Sequence, residues 1–205
     1  MRKDYSNSEV EKIYDEHAKL YDFRMFFIEF FLRKLRRELI SNIKGKVLEV
    51  SIGSGANLRY YPKNCEIVGI DLSKEMLELA SKKALKYDTK VKLEKGNAEK
   101  LRFKGEEFDC VIDTLGLCTF PNPNKVLSEM KRVCKKNGRI LLLEHGIGKH
   151  RLVNKFLNWR NHNHYRRLGC HLTRDIGKIV KNSGLKIIGE KRKIFGSIYY
   201  IIAKK

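Results

Sequence analysis

The segment of residues 46–57, with the sequence KVLEVSIGSGAN, constrains the fold of this chain more than any other part of it. Residues 47–50 are mostly apolar and predict a short buried strand, of the kind found in parallel sheets that are covered on both faces. Gly53 and Gly55 follow directly. Because neither carries a Cβ, the backbone of this turn can pass close to a ligand. The segment therefore predicts a strand that ends in a ligand-binding turn.

A second apolar run, residues 67–70, ends in Asp71. In doubly wound sheets, a glycine turn followed by an acid at the tip of the next strand binds nucleotides, because the acid accepts hydrogen bonds from ribose hydroxyls. The third glycine of the dinucleotide fingerprint is absent, since Leu58 stands in its place. Glu49, inside the first strand, would favour a cationic ligand over an anionic pyrophosphate.

The series Glu49-x-Ser51-x-Gly53-x-Gly55 resembles motif I of the class I S-adenosylmethionine (SAM) methyltransferases, which begins with Glu or Asp and continues with alternate glycines. Ser51 replaces the first glycine, so this position has to accept a side chain. The resemblance implies SAM as cofactor and S-adenosylhomocysteine as product. It also implies an α/β fold, a single-domain Rossmann-like methyltransferase with a seven-stranded, mostly parallel sheet whose last strand is antiparallel.

Further cofactor contacts follow from the same resemblance. The slot after the third strand holds the adenine in these enzymes, and Asn97 and Ala98 match it, with Asn where Asp is more usual. Residues 113–117, at the carboxyl end of the fourth strand, should border the methyl group. The residues implied in cofactor binding are Tyr21, Glu49, Ser51, Gly53, Gly55, Asn57, Asp71, Leu72, Met76, Asn97, Ala98, Asp113, Thr114 and Leu115.

The N-terminal part predicts two helices, over residues 8–20 with Ser6 or Ser8 as N-cap, and over residues 23–41. Tyr14 and Tyr21 each precede an aspartate. Two tyrosines at this spacing can simply pack on a helix. In many small-molecule SAM methyltransferases, however, a similar repeat forms a lid over the cofactor, and this resemblance makes both tyrosines candidates for such a lid.

The second predicted helix carries more aromatic residues than one sheet face needs, together with a run of basic residues. Such a pattern is typical of a helix that lies on an anionic membrane surface, although a helix packed against its own domain explains it as well. The residues concerned are Phe26, Phe27, Phe30, Arg33, Lys34, Arg36 and Arg37.

The formal charge of +20 over 205 residues favours polyanionic partners, either nucleic acid or an anionic membrane, unless it only reflects a lysine-rich solvated surface. Five scattered cysteines without a C-x-x-C pair indicate a reducing compartment. No stretch of ~18 apolar residues predicts a membrane span, and the start shows no secretory pattern. We expect a monomer or a weak dimer. We expect it in the cytoplasm, or in mitochondria if the source is eukaryotic, and peripheral contact with a membrane is an alternative that the charge leaves open.

Histidines cluster in the second half of the chain, and a base near neutral pKa would help to deprotonate a thiol or amine acceptor. His145, at the end of the fifth predicted strand, is the leading candidate, with His162 and His164 second, although His145 can also be a polar residue of a turn. The histidines and the neighbouring Cys170 match no known metal-ligand spacing, and His162 and His164 would diverge on a helix. We therefore expect no metal.

The resemblance covers most of the chain. Residues 143–146, 169–175 and 195–204 resemble the Oms-type and methyltransferase-like-seven (thiol methyltransferase) branch, and the first half more loosely resembles ubiquinone-biosynthesis and phospholipid N-methyltransferases. It implies one methyltransferase domain over residues 1–205. Within it we expect N-terminal lid and amphipathic helices over 1–44, a SAM-binding core over 45–145, a substrate-cap insertion over 146–175, and a closing helix and strands over 176–205.

The branch implies methyl transfer to a small-molecule or lipid-like acceptor of thiol, amine or quinol type. A nucleic-acid methyltransferase is the first alternative, favoured by the charge. Against it, the fourth strand ends in Asp113-Thr114-Leu115-Gly116 and lacks the Asp/Asn-Pro-Pro-aromatic sequence of enzymes that methylate base amino groups. A SAM-binding assembly factor without activity is the second alternative, because Ser51 and Asn97 depart from the family pattern.

Overall fold

The computed structural model describes residues 4–205, which form one α/β unit of alternating helices and strands. The strands are β1 (Lys46–Val50), β2 (Glu66–Asp71), β3 (Val91–Lys95), β4 (Phe108–Thr114), β5 (Cys134–His145), β6 (Lys186–Lys193) and β7 (Ile198–Lys204). The helices are α1 (Asn7–Ile40), α2 (Lys74–Lys86), α3 (Pro123–Val133), α4 (Arg151–Leu168) and α5 (Ile176–Asn182), with a short 3₁₀ turn at Leu58–Tyr60.

All seven strands belong to one sheet in the order β3-β2-β1-β4-β5-β7-β6. β7 runs antiparallel to both β5 and β6, and the other pairings are parallel. This confirms the fold expected from the motif I resemblance. The strand order reverses between β1 and β4, and ligands of open α/β sheets bind beyond the carboxyl ends of the strands at such a point.

Apolar side chains cover both faces of the sheet, which explains why β1, β4 and the middle of β5 are nearly continuous apolar runs. On one face, the sheet packs against α3 and α5 around residues such as Met130 and Val180. On the other face, it packs against α2 and the second half of α1, including Leu32 and Leu39.

α1 is a single helix of 34 residues and not two helices as the sequence suggested. A capping box starts it, in which Ser6 accepts from the Glu9 backbone N–H and the Glu9 carboxylate accepts from the Ser6 N–H. The prediction of a break was wrong because residues 7–40 contain neither proline nor glycine, so nothing interrupts the backbone hydrogen bonds. The helix is about 50 Å long and therefore reaches well beyond the sheet.

β5 begins directly after α3. Residues 135–138 belong to the strand and form a bulge between the pairings of Phe108 with Cys134 and of Cys110 with Arg139. No helix within residues 4–205 combines the length and the apolar character needed to cross a membrane.

Candidate active site

A narrow pocket, hereafter the inner pocket, lies beyond the carboxyl ends of β1, β2 and β4 and under the first half of α1. Nine of the residues predicted to bind a cofactor line it: Tyr21, Ser51, Gly53, Asp71, Leu72, Met76, Ala98, Thr114 and Leu115. Tyr14 was predicted only as a lid residue, and Gly116 only as part of the range 113–117 that should border the methyl group. The lining residues that were not predicted are Val10, Glu11, Ser73, Gly96, Thr119 and Phe120.

The turn after β1 and the acid that ends β2 are joined directly. One carboxylate oxygen of Asp71 accepts from the Gly53 N–H at 2.8 Å, and the other accepts from the Ser73 N–H at 3.0 Å. Burial raises the pKa of Asp71 to about 6, although these backbone donors act to lower it. Ser73 also caps α2 by accepting from the Met76 N–H. Its place as a helix cap two residues after the acid was the signal that it belongs to the site.

Glu49 lies outside the inner pocket, in a fully buried network behind it. Its two carboxylate oxygens accept from Asn57 Nδ2 at 2.6 Å and from the Tyr61 hydroxyl at 2.5 Å. Burial raises the pKa of Glu49 to about 7, against the lowering effect of these two hydrogen bonds. Glu49 and Asn57 therefore hold the turn in shape, and neither lines the pocket.

Arg36 completes this network, which corrects the prediction that it covers an outer helix face. It is buried and donates to Asn57 Oδ1 and Thr114 Oγ1, each at 2.8 Å, and to Glu29. Asn57 Nδ2 also donates to Thr114 Oγ1 at 3.0 Å. The arginine thus links α1 to the ends of β1 and β4.

Ser51 adopts a left-handed backbone conformation with φ 52°, which explains why glycine is the family residue at this position. Its hydroxyl donates to Asp113 at 2.5 Å, a bond that offsets part of the backbone strain. Asp113 and Glu144 are both fully buried, and the Glu144 carboxylate accepts from the Gly116 N–H at 3.3 Å. Burial raises the pKa of Asp113 to about 6, and burial together with the Asp113 carboxyl raises the pKa of Glu144 well above its usual range. Asp113 therefore supports the pocket from behind.

Gly55 and Asn97 are also outside the lining. A Cβ on Gly55 would lie 2.6 Å from Leu58 Cδ1 and 3.0 Å from Ala80 Cα, so this glycine permits close packing of the turn on α2 and does not make room for a ligand. The Asn97 carboxamide oxygen accepts from the Glu99 N–H at 2.8 Å and stabilises a local turn.

In each tyrosine–aspartate pair of α1, the tyrosine lines the inner pocket and the aspartate binds the domain below the helix. Tyr14 and Tyr21 face the inner pocket from above, with ring centroids 6.2 Å apart. Asp15 accepts from the Ser73 hydroxyl at 2.6 Å, and Asp22 accepts from the Ser54 hydroxyl at 2.7 Å. Each aspartate therefore ties the helix to the domain where the preceding tyrosine covers the pocket.

A second cavity of about 400 Å³, hereafter the apolar cavity, lies between α1, α4 and the turn joining β6 to β7. Its walls are mostly aliphatic and aromatic side chains, including Met25, Ile28, Phe31, Leu157, Leu168 and Ile198. Tyr14, Tyr21 and Leu115 line both this cavity and the inner pocket. The two spaces therefore share a wall.

Polar groups in the apolar cavity include two of the predicted histidines. His145 and His164 line it, whereas His162 is exposed on α4 and lines neither space. Burial lowers the pKa of His164 to about 4, with the nearby His145 adding to this, so its imidazole is neutral. His145 Nε2 lies 3.0 Å from the Cys170 sulfur, which is 3.4 Å from the Cys118 sulfur. No spacing in the sequence indicates that these three residues meet.

Comparison with known proteins identifies the family. A family model described as a methyltransferase domain matches residues 48–142. The chain is 33% identical to a phosphatidylethanolamine N-methyltransferase of Cereibacter sphaeroides, with 66% of this chain and 68% of that protein covered. The chain belongs to the class I SAM-dependent methyltransferases.

Two other relatives of this methyltransferase are informative. It is 32% identical to the mitochondrial methyltransferase OMS1 of Saccharomyces cerevisiae, over 96% of this chain but only 46% of that protein. It is 30% identical to the thiol S-methyltransferase TMT1B of Rattus norvegicus, over 72% of this chain and 66% of the relative. The chain thus spans about half of OMS1 and two thirds of the others.

Solved structures agree on the fold. A SAM-dependent methyltransferase of Thermotoga maritima, described as a possible histamine N-methyltransferase, superposes with a TM-score of 0.73 at 18% identity, covering 96% of this chain and 99% of that one.

The inner pocket of this methyltransferase fits its cofactor. A Cβ on Gly53 would meet nothing nearer than 3.9 Å, so the glycine leaves open space beside the pocket. The Asp71 carboxylate is suited to ribose hydroxyls, and Leu72, Met76 and Ala98 offer an apolar surface for a base. SAM, when bound, supplies a methyl group activated by a sulfonium. The residues that line the pocket would hold the cofactor, and Tyr14 and Tyr21 would lie over it.

Proposed function

We propose that this methyltransferase transfers the methyl group of SAM to a small or lipid-like acceptor held in the apolar cavity. The observation that supports this is the shared wall: Tyr14, Tyr21 and Leu115 line both the cofactor pocket and the cavity. An acceptor in the cavity would therefore be held beside the reactive end of the cofactor. Such positioning can supply roughly 7–11 kcal/mol of the rate acceleration.

The walls of the cavity suit an acceptor with a substantial apolar part and one nucleophilic atom. Its volume of about 400 Å³ is in the range of small-molecule sites. The candidate acceptor atoms are a thiol, an amine or a quinol oxygen or carbon. The named activities of relatives, on phosphatidylethanolamine and on thiols, are of this kind.

We further propose that the acceptor reaches the cavity from an anionic membrane surface. Phe26, Phe27 and Phe30 are 63%, 74% and 59% exposed, so they do not pack against the domain. Arg33, Lys34 and Arg37 follow on the same helix and are exposed too. α4 and the β6–β7 turn, which border the same cavity, carry further exposed apolar side chains: Leu152, Phe156, Trp159, Ile194 and Phe195. Of these, Ile194 lines the cavity itself. Aromatic residues beside basic ones favour an interface with anionic lipid.

The test is a methyl-transfer screen with labelled SAM over small aliphatic and aromatic thiols, phosphatidylethanolamine, quinol precursors and RNA. We expect label in one of the small or lipid-like acceptors, and none in RNA. The control is Asp71→Ala, which removes an acceptor for the ribose hydroxyls and should weaken SAM binding by about 1.5–3 kcal/mol. Transfer to RNA alone would overturn the proposal and favour the nucleic-acid alternative.

A further inference from the structure

We propose that Cys118, His145 and Cys170 bind a zinc ion whose fourth coordination position takes the sulfur of a thiol acceptor. The three residues come from the loop after β4, the end of β5 and the loop after α4. Their ligand atoms all lie within 4.8 Å of one another, and they form the one such group of His, Cys, Asp and Glu within residues 4–205. The inference deepens the proposed function and rests on it for the methyl-transfer step.

The geometry is that of a zinc site. The ligand atoms of a tetrahedral Zn²⁺ lie about 2.0–2.3 Å from the ion, and hence roughly 3.3–3.8 Å from one another. Here the distances are 3.0 Å from His145 Nε2 to the Cys170 sulfur and 3.4 Å from that sulfur to the Cys118 sulfur. These two distances need outward shifts of a few tenths of an ångström at most, and the third pair, His145 and Cys118, lies within the 4.8 Å that encloses all three ligand atoms. Two sulfurs and one imidazole nitrogen are a donor set that selects zinc over magnesium or calcium.

The residues are held in place by their own elements. The His171 N–H donates to the Cys118 carbonyl at 2.9 Å, which ties the two cysteine loops together. His145 is fixed by the pairing of the end of β5 with Ile198 of β7. A preformed site of this kind loses little entropy when an ion enters.

The position of the cluster distinguishes a reactive zinc from a structural one. Both cysteines and His145 line the apolar cavity, so the side of the ion not covered by protein would face the proposed acceptor. Structural zinc sites usually have four protein ligands, whereas reactive ones have three and an open position. His164 lines the same cavity but is not part of the cluster.

Zinc would change the chemistry of a thiol. The acceptor R–SH binds as a thiolate and releases its proton to solvent, because coordination to Zn²⁺ strongly favours the deprotonated form. A sulfur lone pair then forms the bond to the methyl carbon, while the sulfonium–methyl bond breaks and leaves its electron pair on the sulfur of S-adenosylhomocysteine. The neutral thioether product binds zinc more weakly and leaves. His145 would thus be a zinc ligand and not the general base expected from the sequence.

The experiment measures metal and thiol binding without any methyl donor. Protein reduced and stripped by a chelator is titrated with Zn²⁺ against a chromophoric competitor, and separately with Co²⁺ as a spectroscopic probe. We expect about one equivalent of each and, for Co²⁺, a thiolate charge-transfer band with the visible spectrum of a tetrahedral ion. Adding thiophenol should change that visible spectrum, since it occupies the open position.

Variants identify the ligands. Cys118→Ser, Cys170→Ser and His145→Gln should each weaken Zn²⁺ binding by more than about 100-fold. The matched control is Cys65→Ser, which changes a buried cysteine whose thiol donates to the Ile43 carbonyl instead. Calorimetric binding of S-adenosylhomocysteine shows that each variant is folded.

The outcomes separate this inference from the proposed function. Equal metal binding in Cys170→Ser and wild type, or no Co²⁺ bands, would overturn the site. A bound Co²⁺ whose spectrum thiophenol leaves unchanged would overturn the acceptor role. Thiol methylation by a metal-free protein would overturn the role of zinc and leave the proposed function standing. Metal and thiol binding without methylation of any acceptor would overturn the proposed function and leave the metal site standing.

Discussion

Two glycines of the same turn have different physical roles, and their alanine variants should separate ligand binding from stability. Gly53 has a left-handed φ of 54° and open space at its Cβ position. Gly53→Ala should cost about 1 kcal/mol in stability and place a methyl group beside the cofactor, weakening S-adenosylhomocysteine binding by about tenfold or more. Gly55 has a φ of 78° and a crowded Cβ position. Gly55→Ala should therefore cost about 2–4 kcal/mol in unfolding free energy.

Urea unfolding and calorimetry distinguish the two variants, each of which is the other's control. The sequence alone suggested that a larger side chain at Gly55 would fill the ligand's space. The positions of Leu58 and Ala80 show that it would instead disrupt the packing of the turn. Equal losses of stability in both variants, with ligand affinity unchanged in Gly53→Ala, would contradict this division.

Glu49 should make the stability of the protein depend on pH. Its pKa is raised from an ordinary 4.5 to about 7, so the folded state holds the proton more tightly than the unfolded state. Its contribution is therefore most favourable below about pH 4.5 and is lost as the pH rises through about 7. A shift of this size corresponds to about 3 kcal/mol.

The measurement compares Glu49→Gln with wild type in urea at a series of pH values. As the pH rises from about 5 to about 8, the unfolding free energy of wild type should fall by about 2.5 kcal/mol more than that of Glu49→Gln. Glu190→Gln, on the exposed side of β6, is the control and should follow wild type. Parallel curves for Glu49→Gln and wild type would show that the Glu49 carboxyl is not desolvated in the way described.

The sequence can place a residue at the pocket when the backbone alone brings it there. Asp71, Gly53 and Leu115 follow strands whose ends meet at the point where the strand order reverses, so the period and order of the strands already place them together. The sequence does not show that Glu49 and Asn57 lie outside the pocket lining. The direction of a side chain at the end of a strand depends on the partners that it contacts. Tyr61 and Arg36 are those partners, and their spacing carries no signal.

Among the elements, α1 should behave as a lid that is held by Asp15 and Asp22. Each aspartate accepts a side-chain hydrogen bond from a hydroxyl of the domain below, and Asp22 also pairs with Lys83 at 2.7 Å. Such partly exposed interactions are worth about 0.5–1.5 kcal/mol each. Asp15→Ala/Asp22→Ala should therefore raise amide hydrogen exchange in residues 10–25 by about tenfold.

The same double variant should also bind S-adenosylhomocysteine more weakly, because Tyr14 and Tyr21 are no longer held over the inner pocket. The matched control is Glu16→Ala/Lys19→Ala, which changes two exposed residues on the outer side of the same helix. If the control and the aspartate variant exchanged equally fast, the helix would be held by its apolar contacts alone.

The helix also shows which properties of an element can be predicted. Its start was predicted to within one residue, with Ser6 or Ser8 as N-cap, because capping is a local pattern, and the structure has Ser6 as the cap. Its continuity through Tyr21 to Phe23 was not predicted, although residues 7–40 contain no proline or glycine that would break a helix. Tertiary contacts decide where a long helix changes face, and those contacts are invisible in a single sequence.

At the scale of the whole molecule, the order of strands was predictable because motif I, the acid after β2 and the apolar runs all indicate one topology. The apolar cavity could not be predicted, because it lies between α1, α4 and the β6–β7 turn, which are distant in sequence. The meeting of Cys118, His145 and Cys170 has the same cause. Cysteine and histidine spacings reveal a ligand set only when the ligands belong to one local motif.

The whole molecule should bind anionic membranes through the exposed aromatic part of α1. Liposomes containing anionic lipid should sediment with the protein, and salt should weaken this binding, because the charge of +20 attracts the surface only within a Debye length of ~8–10 Å. Phe26/Phe27/Phe30→Ser should lower binding further at high salt, where insertion of the rings supplies the remaining affinity. Leu85→Ser, which changes an exposed apolar residue of α2, is the control.

The basic residues of the helix give a second, independent arm of the same measurement. Arg33→Gln, Lys34→Gln and Arg37→Gln together should remove about 3 kcal/mol of attraction, at roughly 1 kcal/mol for each charge near the surface. Arg36 is left unchanged, because it is buried and holds Asn57 and Thr114. If neutral and anionic liposomes bound equally, or the serine variant sedimented like wild type, the apolar cavity would have to take its acceptor from solution, and a water-borne thiol would become the better candidate.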